Sequence, residues 1–325
     1  MTPRPVQPLV DLQTPATPGV GCARTLERDA AQTRCPICGG PVRVRGFKAE
    51  RATGDRYRYT LCVACDFLFV NPRPTPRALG EWYRRGHSPR EVGTWDTFRN
   101  DPAVIAEASV DPARLIPWGA RYIASGGRRM FDVGSGLGLF SREALGRGME
   151  VTALELDELA AEELERALGI PVLRLRFEDY RPDASFDLIV LNQVLEHAHD
   201  PVDWACRLRA ALRSGGVVVL GMPHGRSFWQ QTLGLADPYV KPPLHLNHFS
   251  RRSLTLLLEG AGLRVVATRT YSRLPWNLIS RKARLPRGLR PLVDRVFRRV
   301  QRAPLGILDR LEMGIMLEVC ARCEG

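Results

Sequence analysis

From residue 128 onward, apolar runs of strand length alternate with amphipathic runs of helix length, and this alternation constrains the fold more than any other feature. Seven runs have the length and composition of strands: RMFDV, EVTALEL, PVLRLRF, FDLIVLN, GVVVLGM, LRVVATRTY and GIMLEVCAR. Helical patterns such as ELAAEELERAL and VDWACRLRAAL lie between most of them. Strands that alternate with helices are typical of a mainly parallel sheet with helices on both faces. The sequence therefore predicts an α/β fold with a doubly wound sheet.

Three glycines, Gly134, Gly136 and Gly138, follow the first strand in FDVGSGLGLF. Glycine lets the backbone turn sharply and approach a ligand where a Cβ would collide. The spacing is G-x-G-x-G, and Leu139 stands where a dinucleotide site has its third glycine. Because ligands of such sheets bind beyond the carboxyl ends of the strands, the loop predicts a small-molecule site. A tight turn without a ligand is the alternative.

Further candidate binding residues stand at the carboxyl ends of the next two predicted strands. Glu155 comes 21 residues after Gly134, where a carboxylate can accept hydrogen bonds from both hydroxyls of a ribose. An ordinary exposed glutamate is the alternative. Phe177 and Glu178 end the third strand, where they can stack on and hydrogen-bond an adenine. A solvated loop acid is the alternative there.

Four cysteines form two C-x2-C pairs separated by 23 residues: Cys35, Cys38, Cys62 and Cys65. Four thiolates on two tight turns suit tetrahedral zinc and leave no open position on the metal. The spacing therefore predicts a structural zinc ribbon, in which VRVRGF and RYRYTLC alternate as hairpin strands do. Cys320 and Cys323 form a third pair that has no second pair to complete a site.

The formal net charge is +12, and the basic excess is concentrated in one region. Residues 264–325 contain fourteen Lys or Arg against five Asp or Glu. Such a region predicts contact with an anionic substrate or peripheral contact with a membrane surface, with a solvated basic face as the alternative. No stretch approaches the roughly 18 apolar residues of a membrane span. The proline-rich start is not of signal-peptide type, so we expect a cytoplasmic protein.

Several of these motifs together resemble the class I S-adenosylmethionine-dependent methyltransferases, in particular a small-molecule, ubiquinone-type subgroup. DVGSGLG at 132–138 resembles their first motif, and Glu155 resembles their ribose-binding acid. LEHAHDP at 195–201 resembles their LEHxxDP segment, and HLNHFS at 245–250 resembles HxxHFS before a late helix. The cysteine pairs followed by CDFLFVNPRPTP resemble a zinc-ribbon-bearing branch of that subgroup.

The resemblance implies a Rossmann-like, seven-stranded sheet with an antiparallel last strand, and S-adenosylmethionine as the methyl donor. It also implies which residues bind that cofactor: Asp132, Gly134, Ser135, Gly136, Gly138, Glu155, Leu156, Phe177, Glu178, Asn192 and Gln193. In this arrangement Asp132 positions the turn and the amino group of the cofactor. Asn192 and Gln193 lie near the sulfonium and the acceptor.

A sulfonium methyl is already activated, so the protein mainly has to align donor and acceptor and exclude water. A hydroxyl or activated carbon acceptor also needs a base, for which histidine is well suited. His245 and His248 are the candidates for that base. The spacing of Glu196, His197 and His199 gives only weak support to a metal site.

The sequence predicts four regions: a disordered leader over 1–30, a zinc ribbon over 31–75, a helical linker over 76–120, and a methyltransferase domain over 121–325 with a basic helical insert at about 274–311. The predicted function is methyl transfer to O, C or N of a sugar, natural-product or lipid-linked small molecule. An RNA methyltransferase is the first alternative, since a ribbon and basic charge also suit RNA. LNQVLEH lacks the N-P-P-Y type of motif that such enzymes usually carry, so we consider nucleic acid an improbable partner. A non-catalytic, cofactor-binding interaction protein is the second alternative.

Overall fold

Two β-sheets organise the chain in a computed structural model that describes residues 26–51, 53–82, 102–123, 126–182, 186–273 and 302–324. The strands are β1 (Val42–Ala49), β2 (Arg56–Cys62), β3 (Leu68–Val70), β4 (Arg129–Val133), β5 (Glu150–Leu154), β6 (Val172–Leu173), β7 (Phe186–Asn192), β8 (Leu212–Pro223), β9 (Asn247–His248), β10 (Leu263–Tyr271) and β11 (Met316–Cys323). The helices are α1 (Pro76–Trp82), α2 (Pro102–Ala108), α3 (Val110–Ala120), α4 (Leu139–Gly146), α5 (Glu158–Leu168), α6 (Pro201–Ala211), α7 (Phe228–Leu233), α8 (Arg251–Gly260) and α9 (Arg302–Arg310).

The larger sheet has seven strands in the order β10-β11-β8-β7-β4-β5-β6. Strands β4 to β8 run parallel to one another, and β11 runs antiparallel to both of its neighbours, β8 and β10. This architecture confirms the predicted fold class. The strand order reverses between β4 and β7, so their carboxyl ends flank a crevice of the kind that binds ligands in open α/β sheets.

The central strands are buried on both faces, as expected for a parallel sheet covered by helices. Ile189 and Leu191 of β7 point into one core, whereas Leu188 and Val190 point into the other. Because side chains alternate along a strand, each near-continuous apolar run supplies both cores. Strand β6 is an exception, since only Val172–Leu173 of the predicted run PVLRLRF pairs with β5.

Polar residues define where the helices around the sheet begin. Asp157 Oδ1 accepts a hydrogen bond from Ala160 N at the start of α5. Asp200 accepts bonds from the first turn of α6, which opens with Pro201, and Ser250 forms a capping box at the start of α8. These contacts satisfy backbone N–H groups that have no partner within a helix.

Helix α3 belongs to the helical layer of the large sheet rather than to a linker. Leu115 and Ile116 are buried in one of the two cores, and a Cβ on Gly119 would lie 2.3 Å from Cγ2 of Val219 in β8. The helices on this sheet therefore begin before residue 121, where the sequence suggested a boundary. Residues 1–25 of the predicted leader and 274–301 of the predicted insert lie outside the described residues. In the part of the chain that is described, no helix is long and apolar enough to cross a membrane.

The smaller sheet joins the cysteine-rich segment to the rest of the chain. Its order is β1-β2-β3-β9, so three strands come from the segment between and after the cysteine pairs. The fourth strand, β9, lies within HLNHFS and pairs antiparallel with β3, with Leu68 opposite His248. Phe67 stacks on Phe249 with ring centroids 5.1 Å apart. Backbone pairing with β9 therefore attaches the cysteine-rich segment to the rest of the chain, and a shared apolar core joins the two sheets.

Candidate active site

The loop after β4 turns sharply because its glycines adopt left-handed backbone conformations. Gly134 has a φ of 69° and Gly138 a φ of 67°, where residues with a Cβ are strained. A Cβ on Gly134 would lie 2.7 Å from Cγ2 of Val194, and one on Gly138 would lie 2.1 Å from Cδ1 of Leu164 in α5. Gly138 thus permits the close helix packing that dinucleotide sites obtain from a glycine one residue later.

Glu155 lies beside this loop, at the carboxyl end of β5. Its Oε2 accepts a hydrogen bond from Gly136 N at 2.8 Å, and its Oε1 accepts one from Asp157 N at 2.9 Å. Burial raises the pKa of Glu155, and these N–H donors oppose the shift. The next residue, Leu156, has 62% of its surface exposed. A carboxylate and an exposed apolar side chain therefore adjoin at this edge of the sheet.

Asp132 and Ser135 shape the loop from inside the fold. Asp132 Oδ2 accepts hydrogen bonds from Ser141 N at 3.0 Å and from Ser141 Oγ at 2.6 Å, which holds the first turn of α4 against β4. Burial raises the pKa of Asp132 to about 6. The Oγ of Ser135 is buried and has no hydrogen-bond partner among the described residues. Buried hydroxyls normally have a partner, so this atom is available to a ligand.

The structure places Phe177 in the core and not at an adenine site. Only 2% of the residue is exposed, and its ring centroid lies 4.8 Å from that of Trp204 and 6.2 Å from that of Tyr180. The prediction that Phe177 stacks on an adenine is therefore wrong, because neighbouring core side chains enclose the ring. Glu178 is half-buried in the short turn after β6, and its contact with a cofactor stays a prediction.

Asn192 and Gln193 lie where β7 ends, and β7 pairs with β4, the strand that leads into the glycine loop. Gln193 has a φ of 61°, a conformation that a residue with a side chain adopts only when its surroundings impose it. Its N–H donates to Gly221 O at 2.7 Å, and its Nε2 donates to Sδ of Met316 at 3.7 Å. A Cβ on Gly221 would lie 2.4 Å from Oδ1 of Asn192. Close packing thus positions both amide side chains at the carboxyl edge of the sheet.

A cluster of polar residues lies just beyond β7, where the following turn meets the segment before α8. Glu196, His197 and His245 each offer a ligand atom within 4.8 Å of the other two. Burial raises the pKa of Glu196 to about 8, and neither carboxylate oxygen has a hydrogen-bond partner within the described ranges. His199 is not part of this cluster, because its Nε2 pairs with Oδ2 of Asp29 at 2.8 Å.

His245 and His248, the candidate bases, lie close together with 5% and 2% of their surfaces exposed. Their ring centroids are 6.3 Å apart. Burial lowers the pKa of His248 to about 3 and the pKa of His245 well below its usual range, so both rings are neutral at physiological pH. Nε2 of His248 is unpaired among the described residues, and its ring lies 5.7 Å from that of Tyr59 in β2.

The two cysteine pairs converge on one point. All four sulfur atoms lie within 4.8 Å of one another; Cys35 and Cys65 are 3.6 Å apart and Cys38 and Cys62 are 3.5 Å apart. A tetrahedral zinc with bonds of about 2.3 Å needs sulfurs about 3.8 Å apart. A hydrogen bond from Cys65 lowers the pKa of Cys35 to about 5, which favours a thiolate there.

Comparison with known families identifies the domain that carries the larger sheet. Residues 108–268 match the sequence profile of a family described as a methyltransferase domain. The matched region contains the glycine loop, Glu155 and the carboxyl end of β7. The seven-stranded sheet with its antiparallel last strand is the one that the resemblance implied. This domain belongs to the class I S-adenosylmethionine-dependent methyltransferases. The four-cysteine cluster lies outside the matched residues.

Curated relatives of the methyltransferase domain carry similar names. A ubiquinone biosynthesis O-methyltransferase of Aromatoleum aromaticum is 30% identical in an alignment 124 positions long, which covers 34% of this chain and 49% of that protein. An uncharacterized methyltransferase of Mycobacterium sp. strain JLS is 32% identical in an alignment 146 positions long, which covers 42% of this chain and 58% of that protein. The chain thus spans about half the length of the relatives it matches.

One similar solved structure is the 1,6-didemethyltoxoflavin-N1-methyltransferase of Burkholderia thailandensis, which was crystallised with 1,6-didemethyltoxoflavin and S-adenosylhomocysteine. It is 18% identical and has a TM-score of 0.49, over 86% of this chain and 100% of that one.

Sequence reasoning missed the residues by which the methyltransferase domain holds the ribbon. Arg73, which is 5% exposed, donates hydrogen bonds to the backbone oxygens of Ala198 and His199 and, at 2.7 Å, to Oδ1 of Asn247. Nδ2 of Asn247 donates to Ala198 O at 2.7 Å. Burial lowers the pKa of Arg73 to about 10. Both residues stand in quoted motifs, but nothing in the one-dimensional pattern indicates that they meet.

Proposed function

We propose that this chain transfers the methyl group of S-adenosylmethionine to O, C or N of a small molecule such as a sugar, natural-product or lipid-linked intermediate. The contact between the Glu155 carboxylate and Gly136 N carries the proposal, because it brings an acid and a bare left-handed loop together at the carboxyl edge of a parallel sheet. Membership of the methyltransferase family supports it. The ubiquinone-related names of the relatives support a small-molecule acceptor.

The residues at this edge fit the cofactor. Glu155 has the position to accept ribose hydroxyls, Leu156 offers an apolar surface for the adenine, and Ser135 offers an unpaired buried hydroxyl. When bound, the cofactor supplies an activated sulfonium methyl. Asn192 and Gln193 then orient the acceptor beside it, and the surrounding chain excludes water.

Calorimetric titration with S-adenosylhomocysteine tests the cofactor site directly. We expect one binding site per chain with micromolar affinity. Absence of binding would overturn both the methyltransferase proposal and the alternative of a non-catalytic cofactor-binding protein. Mass spectrometry of candidate acceptors incubated with the enzyme and S-adenosylmethionine then identifies the methylated atom.

We further propose that a buried histidine accepts the proton of the acceptor. His248 is the stronger candidate of the two, since its Nε2 is unpaired among the described residues. Its pKa of about 3 in the unliganded protein requires that charge developing on the bound acceptor raises the pKa before the ring takes the proton. Replacing His248 with Asn should lower turnover at least about 100-fold with little change in S-adenosylhomocysteine affinity. The melting temperature of the variant controls for misfolding. Unchanged turnover in a folded H248N enzyme would exclude His248 as the base.

We also propose that the four cysteines bind one structural Zn²⁺, because their sulfur separations fit a tetrahedral ion. Cys206 is exposed and lies outside the cluster, which makes it a matched control. Metal analysis of the C35S variant should show loss of this zinc, whereas the C206S variant should retain it. Equal zinc content in C35S and wild-type protein would refute the site.

We propose no nucleic-acid partner. In a gel shift with bulk RNA we expect little affinity at physiological salt, whereas tight binding with a steep salt dependence would favour an RNA methyltransferase.

For the basic region 264–325 we propose contact with an anionic acceptor or a membrane surface. Binding of the protein to anionic vesicles but not to neutral ones would support the membrane contact.

A further inference from the structure

Outside the cysteine cluster, the described residues contain one further group of side chains that can hold a metal ion. It consists of Glu196, His197 and His245, whose ligand atoms lie within 4.8 Å of one another. The ring centroids of the two histidines are 5.0 Å apart. Two imidazoles and one carboxylate form a donor set that binds divalent transition metals and leaves positions open.

Glu196 is the residue that most requires an explanation. It is 1% exposed, yet neither carboxylate oxygen accepts a hydrogen bond from another residue that the structure describes. Its own backbone N–H and the charge of Lys241 only partly offset the burial that raises its pKa. Burial of a carboxyl group without a hydrogen-bond partner costs free energy, and buried carboxyl groups in proteins are usually paired or bind a metal. An ion between Glu196 and the two histidines would satisfy these oxygens.

The two histidines are held as metal ligands usually are. Nδ1 of His197 lies 2.7 Å from Leu244 O, and Nδ1 of His245 lies 2.6 Å from Tyr239 O. A carbonyl oxygen can only accept a hydrogen bond, so Nδ1 carries the proton and Nε2 of the neutral ring carries a lone pair. A ligating histidine typically donates its other N–H to a carbonyl or carboxylate in this way.

The backbone also prearranges the cluster. Leu246 N donates to Glu196 O at 2.9 Å, which fixes the turn after β7 against the segment that contains His245. Asn247 Nδ2 adds a bond to Ala198 O at 2.7 Å. Ligands from two chain segments are therefore held together before any ion binds.

We propose that Glu196, His197 and His245 bind one divalent transition-metal ion at the carboxyl edge of β7. The site is separate from the four-cysteine cluster and does not depend on the proposed methyl transfer. If His245 binds a metal, its imidazole is not free to act as a base, which leaves His248 for that role.

Titration of the full-length, zinc-loaded protein with Co²⁺ tests the site, because Co²⁺ bound to nitrogen and oxygen ligands absorbs visible light without a thiolate charge-transfer band. We expect one Co²⁺ to bind per chain with no release of zinc. In E196Q and H245A the affinity should fall by roughly 100-fold or more. The matched control is H199Q, since His199 lies on the same segment but pairs with Asp29, and it should bind Co²⁺ as the wild type does.

The outcomes separate the proposal from its alternatives. Wild-type protein that binds no Co²⁺ beyond exchange at the cysteines would overturn it. Unchanged binding by E196Q would also overturn it. Because H245A can disturb packing, the nearly isosteric E196Q variant is the deciding one, and circular dichroism establishes that it is folded.

Discussion

At the scale of single residues, the candidate site depends on neighbours that stand far away in the sequence. Gly134 must be glycine because Val194, which follows β7, packs against it. Gly138 must be glycine because Leu164 of α5 packs against it. The glycine pattern was recognisable in the sequence, but its packing reason was not. For Phe177 the position in the sequence fitted a cofactor contact, but the structure places its ring in the core.

We predict that E155Q weakens S-adenosylhomocysteine binding by about 10-fold to 100-fold, because a ribose hydroxyl bonds more strongly to a carboxylate than to an amide. Glu158 in the first turn of α5 is exposed and has no role in the site. The E158Q variant is therefore the matched control in calorimetry. Equal affinities for E155Q and E158Q would remove Glu155 from the cofactor site.

Asp132 should make stability depend on pH. Its folded pKa of about 6 lies above its ordinary value of 3.8, with burial as the main cause and the nearby Glu155 charge as a smaller one. The folded state therefore binds the proton more tightly, and this contribution to stability is lost as pH rises from about 4 through 6. Between those limits wild type should lose roughly 2 kcal/mol relative to D132N. Urea unfolding across this pH range measures it, and parallel curves would contradict it.

At the scale of elements, one very short strand has a large consequence for assembly. Strand β9 has only two residues and no pattern that predicts a strand, yet it completes the ribbon sheet. Its Asn247 accepts a bond from buried Arg73 and donates one to Ala198 O. An element this short forms only because β3 and the turn that contains Ala198 hold it in place.

We predict that N247A destabilises the protein by about 2 to 3 kcal/mol, because it leaves a buried guanidinium without one of its acceptors. N247D keeps an acceptor for Arg73 but loses the donor to Ala198 O, so its loss should be smaller. Thermal and urea unfolding of the three proteins measure the difference. If N247A unfolds like wild type, Arg73 does not depend on β9.

At the scale of the whole molecule, the ribbon and the methyltransferase domain share one core. Cys62, Cys65 and Phe67 belong to the same buried cluster as Phe131 and Phe249. Two modules that share an apolar core and a sheet should unfold together rather than separately.

We therefore predict that loss of the ribbon metal destabilises the methyltransferase domain as well. C62S should lower the melting temperature of the entire protein in a single transition, whereas C206S, at an exposed position, should not. Calorimetry distinguishes the cases. A separate low-temperature transition for the ribbon, with an unchanged main transition, would show that the modules fold independently.

The sequence by itself determined the features that depend on local order: the alternation of strands and helices, the turn at DVGSGLG, the acid that ends β5 and the spacing of the cysteines. Each is encoded by residues close together in the chain, where steric and hydrogen-bonding rules act directly. Only the tertiary structure decided that HLNHFS adds a strand to the ribbon, that Phe177 is enclosed, and that Glu196 meets His245. Such contacts join residues far apart in the chain, and burial of the shared core selects them.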